Sequence, residues 1–253
     1  MGKWKKWLSA GLFTAMLGTA IIAGPTADVS ANAGNKPYNI ENVSPDAHLA
    51  PSVGDSSSKT SSKAWHKIDG VCYNGSGKKV EGAITRGMDV SEWQGKINWK
   101  EAKKDLDFAF VRISYGTRHL DDYYDYNMTE AEAADVPVGT YVYSLAKTNK
   151  EALAEAQLAI RQMQGHKVSY PVAFDLEDEA TLGTLTRKEI SQIALTFCDE
   201  IRKAGYTPIL YMNLNWYNNF VDWNVLEGSG LDVWIASYGD TIFAPSTSKY
   251  KYT

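Results

Sequence analysis

Short apolar segments alternate with helical segments from residue 87 onward, and this alternation constrains the fold more than any other feature of the sequence. The apolar segments are nearly continuous, which is typical of parallel strands that helices cover. We predict six strands, at residues 87–90, 108–113, 138–143, 171–174, 208–211 and 233–236. Because a closed (β/α) barrel has about eight strands, six strands indicate either an irregular barrel or a chain that lacks part of the barrel.

Two longer segments between the predicted strands have the period of amphipathic helices. Residues 149–165 carry apolar side chains at helical spacing and end at a glycine. Residues 186–205 do the same, and Thr186 with Glu189 forms a capping-box pattern at their start. Both segments therefore predict helices that cover the sheet.

Residues 1–33 have the three parts of a secretory signal peptide. Lysines near the start precede an apolar run over residues 7–24, and the small-x-small sequence at 31–33 is a cleavage signature. We expect cleavage after Ala33, which predicts a secreted protein, extracellular or in the cell wall, with no membrane attachment after cleavage. A retained membrane anchor is the alternative, but the apolar run is short for one.

Three segments follow this leader. Residues 34–63 are Ser-rich with little apolar content, which predicts a disordered spacer. Residues 64–86 predict a hairpin extension that turns at residues 74–77. Residues 87–253 carry the strand and helix alternation and are predicted to form the main domain.

Composition narrows the classes of partner. The net charge of −4 argues against nucleic acid or an anionic membrane surface. The 15 Tyr and 8 Trp suit a sugar-binding cleft or a large core equally well. Cys72 and Cys198 either pair, as export permits, or remain buried thiols. With four His and no Cys/His ligand spacing, we predict no metal and no cofactor.

Polar or aromatic residues stand at the end of each predicted strand. The carboxyl ends of parallel strands meet at one rim of a barrel, where the active sites of such folds lie. Carboxylates mixed with aromatic rings at one rim indicate a shared site for a sugar. In chain order, these strand-end residues are Asp89, Ser91, Glu92, Trp93, Arg112, Ser114, Tyr141, Tyr143, Asp175, Glu177, Tyr211, Asn213, Ser237 and Tyr238.

Asp175 and Glu177 form the most informative pair in this set. Residues i and i+2 of a strand point to the same face, with Cα atoms about 6.5 Å apart. Two partly buried carboxyl groups at that spacing should titrate apart, one charged and one protonated near neutral pH, as glycoside hydrolysis requires. A solvated strand-end cluster and a divalent-cation site are the alternatives. Asp178 and Glu179 are expected on a solvated loop beyond the pair.

Six sequence blocks, in the family's order and spacing, resemble family-25 glycoside hydrolases, the N-acetylmuramidase lysozymes. The resemblance covers about residues 84–253 and implies an α/β fold, an irregular, flattened (β/α) barrel of the TIM type. Family members continue with further strands, so it also implies that the C-terminal strands of the barrel are missing from this chain. The blocks are "RGMDVSEWQGKINW", "FAFVRISYGT", "PVGTYVYS", "PVAFDLED", "GYTPILYMNLNWY" and "DVWIASYG".

The resemblance also implies an activity and residue roles. Family members cleave the β-1,4 bond between N-acetylmuramic acid and N-acetylglucosamine in peptidoglycan. Glu177 matches the general acid, Asp175 matches the carboxylate that stabilises the reacting centre, in a substrate-assisted scheme, and Asp89 matches a supporting aspartate of the cleft. The expected substrate-binding residues are Tyr141, Tyr143, Tyr211, Asn213 and Trp93, with a core role equally open for Trp93 and favoured for Trp234.

We therefore expect a secreted, monomeric lysozyme whose partners are peptidoglycan glycan strands. A non-catalytic wall-binding module on the same scaffold is the first alternative, and the intact Asp175 and Glu177 argue against it. A chitinase is the second, but its longer acidic motif is present here only in part. The sequence does not indicate whether such an enzyme remodels its own cell wall or attacks other cells.

Overall fold

The computed structural model of the protein describes residues 15–17, as backbone only, together with residues 66–73, 77–80, 83 and 85–236. The predicted cleavage site and the predicted spacer at residues 34–63 lie outside the described residues. Ser237 and Tyr238, the last of the predicted strand-end residues, also lie outside them.

Within these residues the chain forms ten strands, seven α-helices and two 3₁₀ turns. The strands are β1 (Ala15–Leu17), β2 (His66–Ile68), β3 (Val71–Tyr73), β4 (Gly87–Val90), β5 (Phe108–Tyr115), β6 (His119–Leu120), β7 (Val138–Tyr143), β8 (Val168–Asp175), β9 (Pro208–Asn213) and β10 (Asp232–Ala236). The helices are α1 (Trp99–Ala102), α2 (Tyr124–Ala133), α3 (Asn149–Met163), α4 (Glu179–Leu182), α5 (Arg187–Lys203), α6 (Leu214–Asn219) and α7 (Trp223–Leu226). The 3₁₀ turns are Glu92–Gln94 and Lys103–Asp105.

Six strands form a curled parallel sheet in the order β4-β5-β7-β8-β9-β10. Each strand lies beside the next one in sequence, which is the topology of a (β/α) barrel and differs from the reversed order of a doubly wound sheet. β1, which lies within the predicted signal peptide, pairs in parallel with the outer edge of β4, and β6 pairs antiparallel with the end of β5. The sheet is a half-barrel, which confirms the predicted irregular TIM-like fold class.

All six strands predicted for the main domain are present, and their ends differ from the prediction by at most three residues. The two predicted helices are α3 and α5. At the start of α5 the Thr186 hydroxyl accepts a hydrogen bond from the Glu189 N–H at 3.3 Å, and the Glu189 carboxylate accepts one from the Thr186 N–H at 2.8 Å. The predicted capping box is therefore confirmed. No helix in the described part of the chain is both long and apolar enough to cross a membrane.

The two faces of the sheet bury different sets of side chains. The outer face packs against the helices, and there Phe174 of β8 stacks on Phe197 of α5 with ring centroids 4.1 Å apart. The inner face carries a smaller aromatic cluster, in which Trp234 of β10 lies 4.9 Å from Phe110 of β5. Because side chains alternate along each strand, this inner cluster forms the floor below the carboxyl ends of the strands.

Gly139 of β7 makes room for that floor. A Cβ atom added at this position would lie 2.7 Å from the ring of Phe110 and 2.5 Å from the backbone oxygen of Pro171. Both distances are shorter than a Cβ atom can tolerate. The backbone oxygen belongs to the neighbouring strand β8, so it cannot move away without disturbing the sheet. Glycine is therefore required here by the close approach of an aromatic ring and a strand.

The region before the main domain forms the predicted hairpin, but with a different tight turn. β2 and β3 pair antiparallel and are joined by Asp69 and Gly70, both at positive φ, whereas the prediction placed the turn at residues 74–77. Residues 74–76 of the predicted turn lie outside the described residues, and Tyr73, before them, pairs antiparallel with Lys79, after them. An Asp-Gly pair between two strands is the stronger hairpin signal, and the sequence interpretation overlooked it.

The two cysteines are separate free thiols in the structure. Cys72 lies in the hairpin strand β3, and Cys198 lies on the sheet-facing side of α5. Both are buried, so of the two possibilities left open by the sequence the structure shows buried thiols.

Replacing Thr186 by Ala should lower the free energy of unfolding by about 1 kcal/mol, because both hydrogen bonds of the Thr186 hydroxyl are lost. These are the bond that it accepts from the Glu189 N–H at 3.3 Å and the bond that it donates to the Glu189 carboxylate at 2.7 Å. Thr186→Ser should retain most of that stability. Thr196→Ala, on the same helix but away from its start, is the matched control and should change stability by less than about 0.5 kcal/mol. Urea unfolding monitored by circular dichroism measures all three, and an unchanged midpoint for Thr186→Ala would contradict the assigned cap.

Candidate active site

Three carboxyl groups come together at the carboxyl ends of the strands. Asp89 belongs to β4, Asp175 is the last residue of β8, and Glu177 follows two residues later. Asp175 is paired on one side with Tyr143 of β7 and on the other with Tyr211 of β9. Only 4% of Asp175 is exposed, and its Oδ1 atom has no hydrogen-bond partner among the described residues.

Burial and mutual repulsion raise the proton affinity of all three groups. Burial raises the pKa of Asp89 to about 7. Burial also raises the pKa of Glu177 to about 7, and the neighbouring Asp89 and Asp178 add to the increase. The pKa of Asp175 is raised well above its ordinary value, first by burial and then by repulsion from Glu177 and Asp89, although Arg112 lowers it. These mutual effects place the three carboxyl groups in one cluster.

The cluster therefore retains protons near neutral pH, where isolated carboxyl groups have lost them. The sequence predicted that Asp175 and Glu177 would differ in protonation. In the structure, burial raises the pKa of both groups, and repulsion from Glu177 also raises the pKa of Asp175, so both groups compete for protons near neutral pH. Because the two groups interact, protons bind to and leave the pair in steps that belong to the pair and not to either residue alone. A state with one proton on Asp175 and Glu177 together contains one acid and one anion.

Arg112 of β5 is the cation beside this cluster. Its Nε atom donates a hydrogen bond to Asp121 at 2.9 Å, and its Nη2 atom lies 2.9 Å from a carboxylate oxygen of Glu92. Glu92 in turn lies 2.8 Å from the Nε2 atom of His119 at the surface. Two carboxylates thus hold the guanidinium in place behind Asp175, and this network was not identified from the sequence.

A β-bulge on β5 decides which of its side chains reach the cleft. The register with β7 shifts between Arg112 and Ser114, so that Tyr115 pairs with Tyr143. The two tyrosine rings stack with centroids 4.8 Å apart. Ser114 was expected at the rim, but it is fully buried and pairs with the outward-facing Val142. The extra residue reverses the alternation, which regular strand spacing could not predict.

Asp178 also departs from the prediction of a solvated loop residue. It is only 8% exposed and is the N-cap of α4. Its Oδ1 atom accepts a hydrogen bond from the Thr181 N–H at 2.8 Å, and its Oδ2 atom accepts one from the Tyr115 hydroxyl at 3.2 Å. Glu179 is the first residue of α4 rather than part of a loop. The acidic run after β8 is therefore an ordered turn into a helix.

A buried glutamate holds the loop beside the cluster. Glu155 of α3 accepts hydrogen bonds from the Ser144 hydroxyl at 2.8 Å and from the Leu145 N–H at 3.0 Å. The Ser144 N–H donates to the backbone oxygen of Asp175 at 3.0 Å. Burial raises the pKa of Glu155 to about 7. This contact links the loop after β7 to the end of β8, and no sequence motif indicated it.

The expected substrate-binding residues divide into two groups. Tyr143 faces the carboxyl cluster, since Asp175, Asp178 and Glu177 add to the rise that burial causes in its pKa. Tyr141 also lies close to the carboxyl cluster. Burial raises its pKa, Arg112 lowers it, and the charges of Asp89 and Asp175 raise it further. These two tyrosines are brought together with the predicted catalytic residues.

The second group lies around the same rim, but each of its members has different contacts. Its members are Trp93, Tyr211 and Asn213. Trp93, on the first 3₁₀ turn, is 37% exposed, so it is not part of the core. Tyr211 packs edge-on against Trp234 at 4.6 Å, and Trp234 is a core residue as the sequence favoured. The Oδ1 atom of Asn213 accepts a hydrogen bond from the Trp216 N–H at 3.0 Å, which makes Asn213 the cap of α6.

Among the described residues, no group of three or more His, Cys, Asp or Glu side chains has the arrangement of a metal site. The carboxyl cluster at the strand ends is instead surrounded by tyrosine rings and backed by Arg112. Carboxyl groups with raised pKa values beside a cation are suited to proton donation and charge stabilisation.

A family model described as "Glycosyl hydrolases family 25" matches residues 88–252. The chain belongs to this family. Lysozyme M1 of Streptomyces globisporus is 26% identical over 164 residues, which cover 61% of this chain and 55% of that protein. The uncharacterized protein YegX of Escherichia coli K12 is 26% identical over 139 residues, 52% of this chain and 49% of that protein. This family 25 chain thus spans about half the length of the curated relatives it matches.

Solved structures show the same fold. The modular autolysin LytC from Streptococcus pneumoniae aligns with a TM-score of 0.59 at 21% identity, over 75% of this chain and 46% of that one. A family 25 glycosyl hydrolase from Bacillus anthracis aligns with a TM-score of 0.55 at 22% identity, over 70% of this chain and 76% of that one. At these identities the likeness establishes the family 25 fold and leaves residue roles to be argued from the site.

Glu177→Gln should make this family 25 chain more stable at pH 8 without stabilising it at pH 4. The folded pKa of Glu177 is raised above its unfolded value, so its stabilising contribution is complete below the unfolded pKa and is lost as the pH rises toward about 7. Removing the half-buried charge should therefore raise the free energy of unfolding at pH 8 by about 1–3 kcal/mol.

Urea unfolding at several pH values measures this difference. Glu227→Gln, an exposed glutamate on another element, is the matched control and should retain the wild-type pH dependence. Equal destabilisation of Glu177→Gln at pH 4 and pH 8 would show that its carboxyl group is not buried in the manner described.

Proposed function

We propose that the protein is a secreted lysozyme that hydrolyses the β-1,4 bond between N-acetylmuramic acid and N-acetylglucosamine in peptidoglycan. The observation that carries this proposal is the cluster of Asp89, Asp175 and Glu177 at the mouth of a family 25 barrel, with raised pKa values and tyrosine walls. Glu177 acts as the general acid, Asp175 stabilises the transition state, and Asp89 supports the pair.

Glu177 has the properties of a general acid at neutral pH. A proton donor is effective when its pKa is close to the working pH, and burial raises the pKa of Glu177 to about 7. In the proposed reaction Glu177 gives its proton to the glycosidic oxygen as the bond from that oxygen to the sugar C1 breaks. Water then supplies a hydroxyl group to C1 and returns a proton to Glu177.

Asp175 has the position of the stabilising anion. Its Oδ1 atom is buried at the end of β8 and has no hydrogen-bond partner in the part of the chain that the structure describes. Arg112 lowers the pKa of Asp175, against the effects of burial and of its acidic neighbours. When one proton is held by the pair, placing it on Glu177 leaves Asp175 negative. In a substrate-assisted reaction that charge orients the acetamide of the sugar, whose oxygen attacks C1 and is later displaced by water.

The aromatic residues suit a polysaccharide substrate. Stacked Tyr115 and Tyr143 lie on one side of Asp175, and Tyr211 lies on the other. Flat rings pack against the apolar faces of sugar rings, while tyrosine hydroxyls provide polar contacts at the edge. Trp93, exposed at the rim, extends this surface. We assign Tyr141, Tyr143, Tyr211, Trp93 and Asn213 to substrate binding.

Glycan strands of peptidoglycan are the proposed partner, and the proposed location is outside the cell or in the cell wall. The structure of LytC includes a complex with a synthetic peptidoglycan ligand, and that protein shares the fold of this chain. The predicted signal peptide at residues 1–33 supports export. We propose a monomer that acts without a metal or cofactor, since the carboxyl pair supplies both the acid and the anion.

Glu177→Gln should lower peptidoglycan hydrolysis on the order of 100-fold or more, because the proton donor is lost, while binding to cell walls is retained. The assay uses the full-length protein, purified cell walls, release of reducing ends and mass analysis of the muropeptides. Glu227→Gln should remain as active as the wild type.

This experiment also separates the proposal from a non-catalytic wall-binding module. A binding module would sediment with cell walls equally well as wild type and as Glu177→Gln, and neither protein would release reducing ends. Cleavage of chitin in place of peptidoglycan would contradict the proposed substrate but retain the proposed chemistry.

A further inference from the structure

Asp178 lies next to Glu177, the proposed general acid, in sequence and in space. The proposed mechanism gives it neither the role of proton donor nor that of stabilising anion. It is almost completely buried, and each of its two carboxylate oxygens accepts a hydrogen bond. The donors are the backbone N–H of Thr181 and the hydroxyl of Tyr115, so Asp178 is an acceptor in both contacts. An ionised carboxylate can accept two such bonds without donating one.

We propose that Asp178 is a positioning residue that fixes the turn carrying Glu177 and, through its negative charge, holds Glu177 in the form of a proton donor. This inference rests on the proposed function and deepens it, since it concerns the residue that prepares Glu177 for proton transfer.

The geometry supplies two fixed points for this turn. On one side the sheet holds the backbone of Leu176, the residue before Glu177. The Leu176 N–H donates a hydrogen bond to the backbone oxygen of Tyr211 at 2.9 Å. On the other side Asp178 caps α4 through the Thr181 N–H. Glu177 lies between these two contacts, so its backbone is restrained from both directions.

Tyr115 ties this turn to the opposite wall of the cleft. Its hydroxyl donates to Asp178, and its ring stacks on Tyr143 at 4.8 Å. The bulge on β5 is what turns Tyr115 toward the cleft. The bulge, the tyrosine stack and the cap of α4 therefore form one connected arrangement around Glu177.

The charges acting on Asp175 and Glu177 differ in a way that suits their proposed roles. After burial, the groups that affect Glu177 are Asp89 and Asp178, and both raise its pKa. Asp175 feels Glu177, Asp89 and Asp178 as well, but Arg112 lowers its pKa. The cation thus favours an ionised Asp175, and Asp178 favours a protonated Glu177.

Asp178→Asn tests the charge separately from the cap, because asparagine also caps helices. The midpoint of the Glu177 titration should fall by about 0.5–1 pH unit, since a nearby negative charge is removed. The alkaline limb of the kcat/KM profile should move in the same direction by a similar amount. Asp178→Ala should show the same shift together with a loss of stability.

The titration is measured by NMR of the full-length protein labelled with ¹³C at the glutamate carboxyl groups, with Glu177→Gln used to assign the resonance. Asp222→Asn is the matched control, since Asp222 is also the N-cap of a four-residue helix, α7, and has no assigned part in the site. It should leave the Glu177 titration and the pH profile unchanged.

The outcomes are distinct. An unchanged Glu177 midpoint in Asp178→Asn would overturn the inference, and so would a shift that occurs only in Asp178→Ala, because the role would then be helix capping alone. If the wild-type protein did not cleave peptidoglycan, the proposed function would fail, but the NMR titration would still decide whether Asp178 controls the proton on Glu177.

Discussion

The confinement of like-charged carboxyl groups in a poorly solvated cleft is the constraint on which the rest of the structure depends. A carboxylate removed from water is costly unless it is paired, hydrogen-bonded or protonated. Asp89, Asp175 and Glu177 meet this constraint chiefly by keeping protons, as their raised pKa values show. The same property that lowers stability at alkaline pH provides an acid near pH 7.

The sheet places these groups together without any need for adjacent positions in the chain. Asp89 is the next-to-last residue of the first strand of the main domain, while Asp175 ends its fourth, and sequential parallel pairing brings both to one rim. Below them Phe110 fills the interior beside Gly139 and is fully buried in the floor. Behind them Arg112 is held by Glu92 and Asp121, so this cation is fixed near the acidic cluster.

Much of this organisation could be predicted from the sequence, because it follows from periodic patterns. Continuous apolar strands, the capping box at Thr186 and the spacing of Asp175 and Glu177 each depend on a few neighbouring residues. The family 25 motifs then identified the fold class, which the structure and the family match confirmed. The assignment of individual catalytic roles stays a prediction.

The features that could not be predicted depend on contacts between distant segments. The bulge on β5 exchanged Ser114 for Tyr115 at the cleft, and no local pattern marks an inserted residue. The buried Asp178 accepts a hydrogen bond from Tyr115, which is 63 residues away in the chain. Arg112 gave a partial signal, as the one charged residue in an apolar strand, but its carboxylate partners come from two separate loops.

The claim that the carboxyl groups share protons can be tested most directly by neutron crystallography of the protein at a pH close to 7. The account predicts deuterium on at least one carboxyl oxygen of the Asp175 and Glu177 pair, with Arg112 fully charged beside it. A map in which Asp175 and Glu177 both lack deuterium would contradict the account, because two neighbouring ionised carboxylates would then be stable together in the cleft.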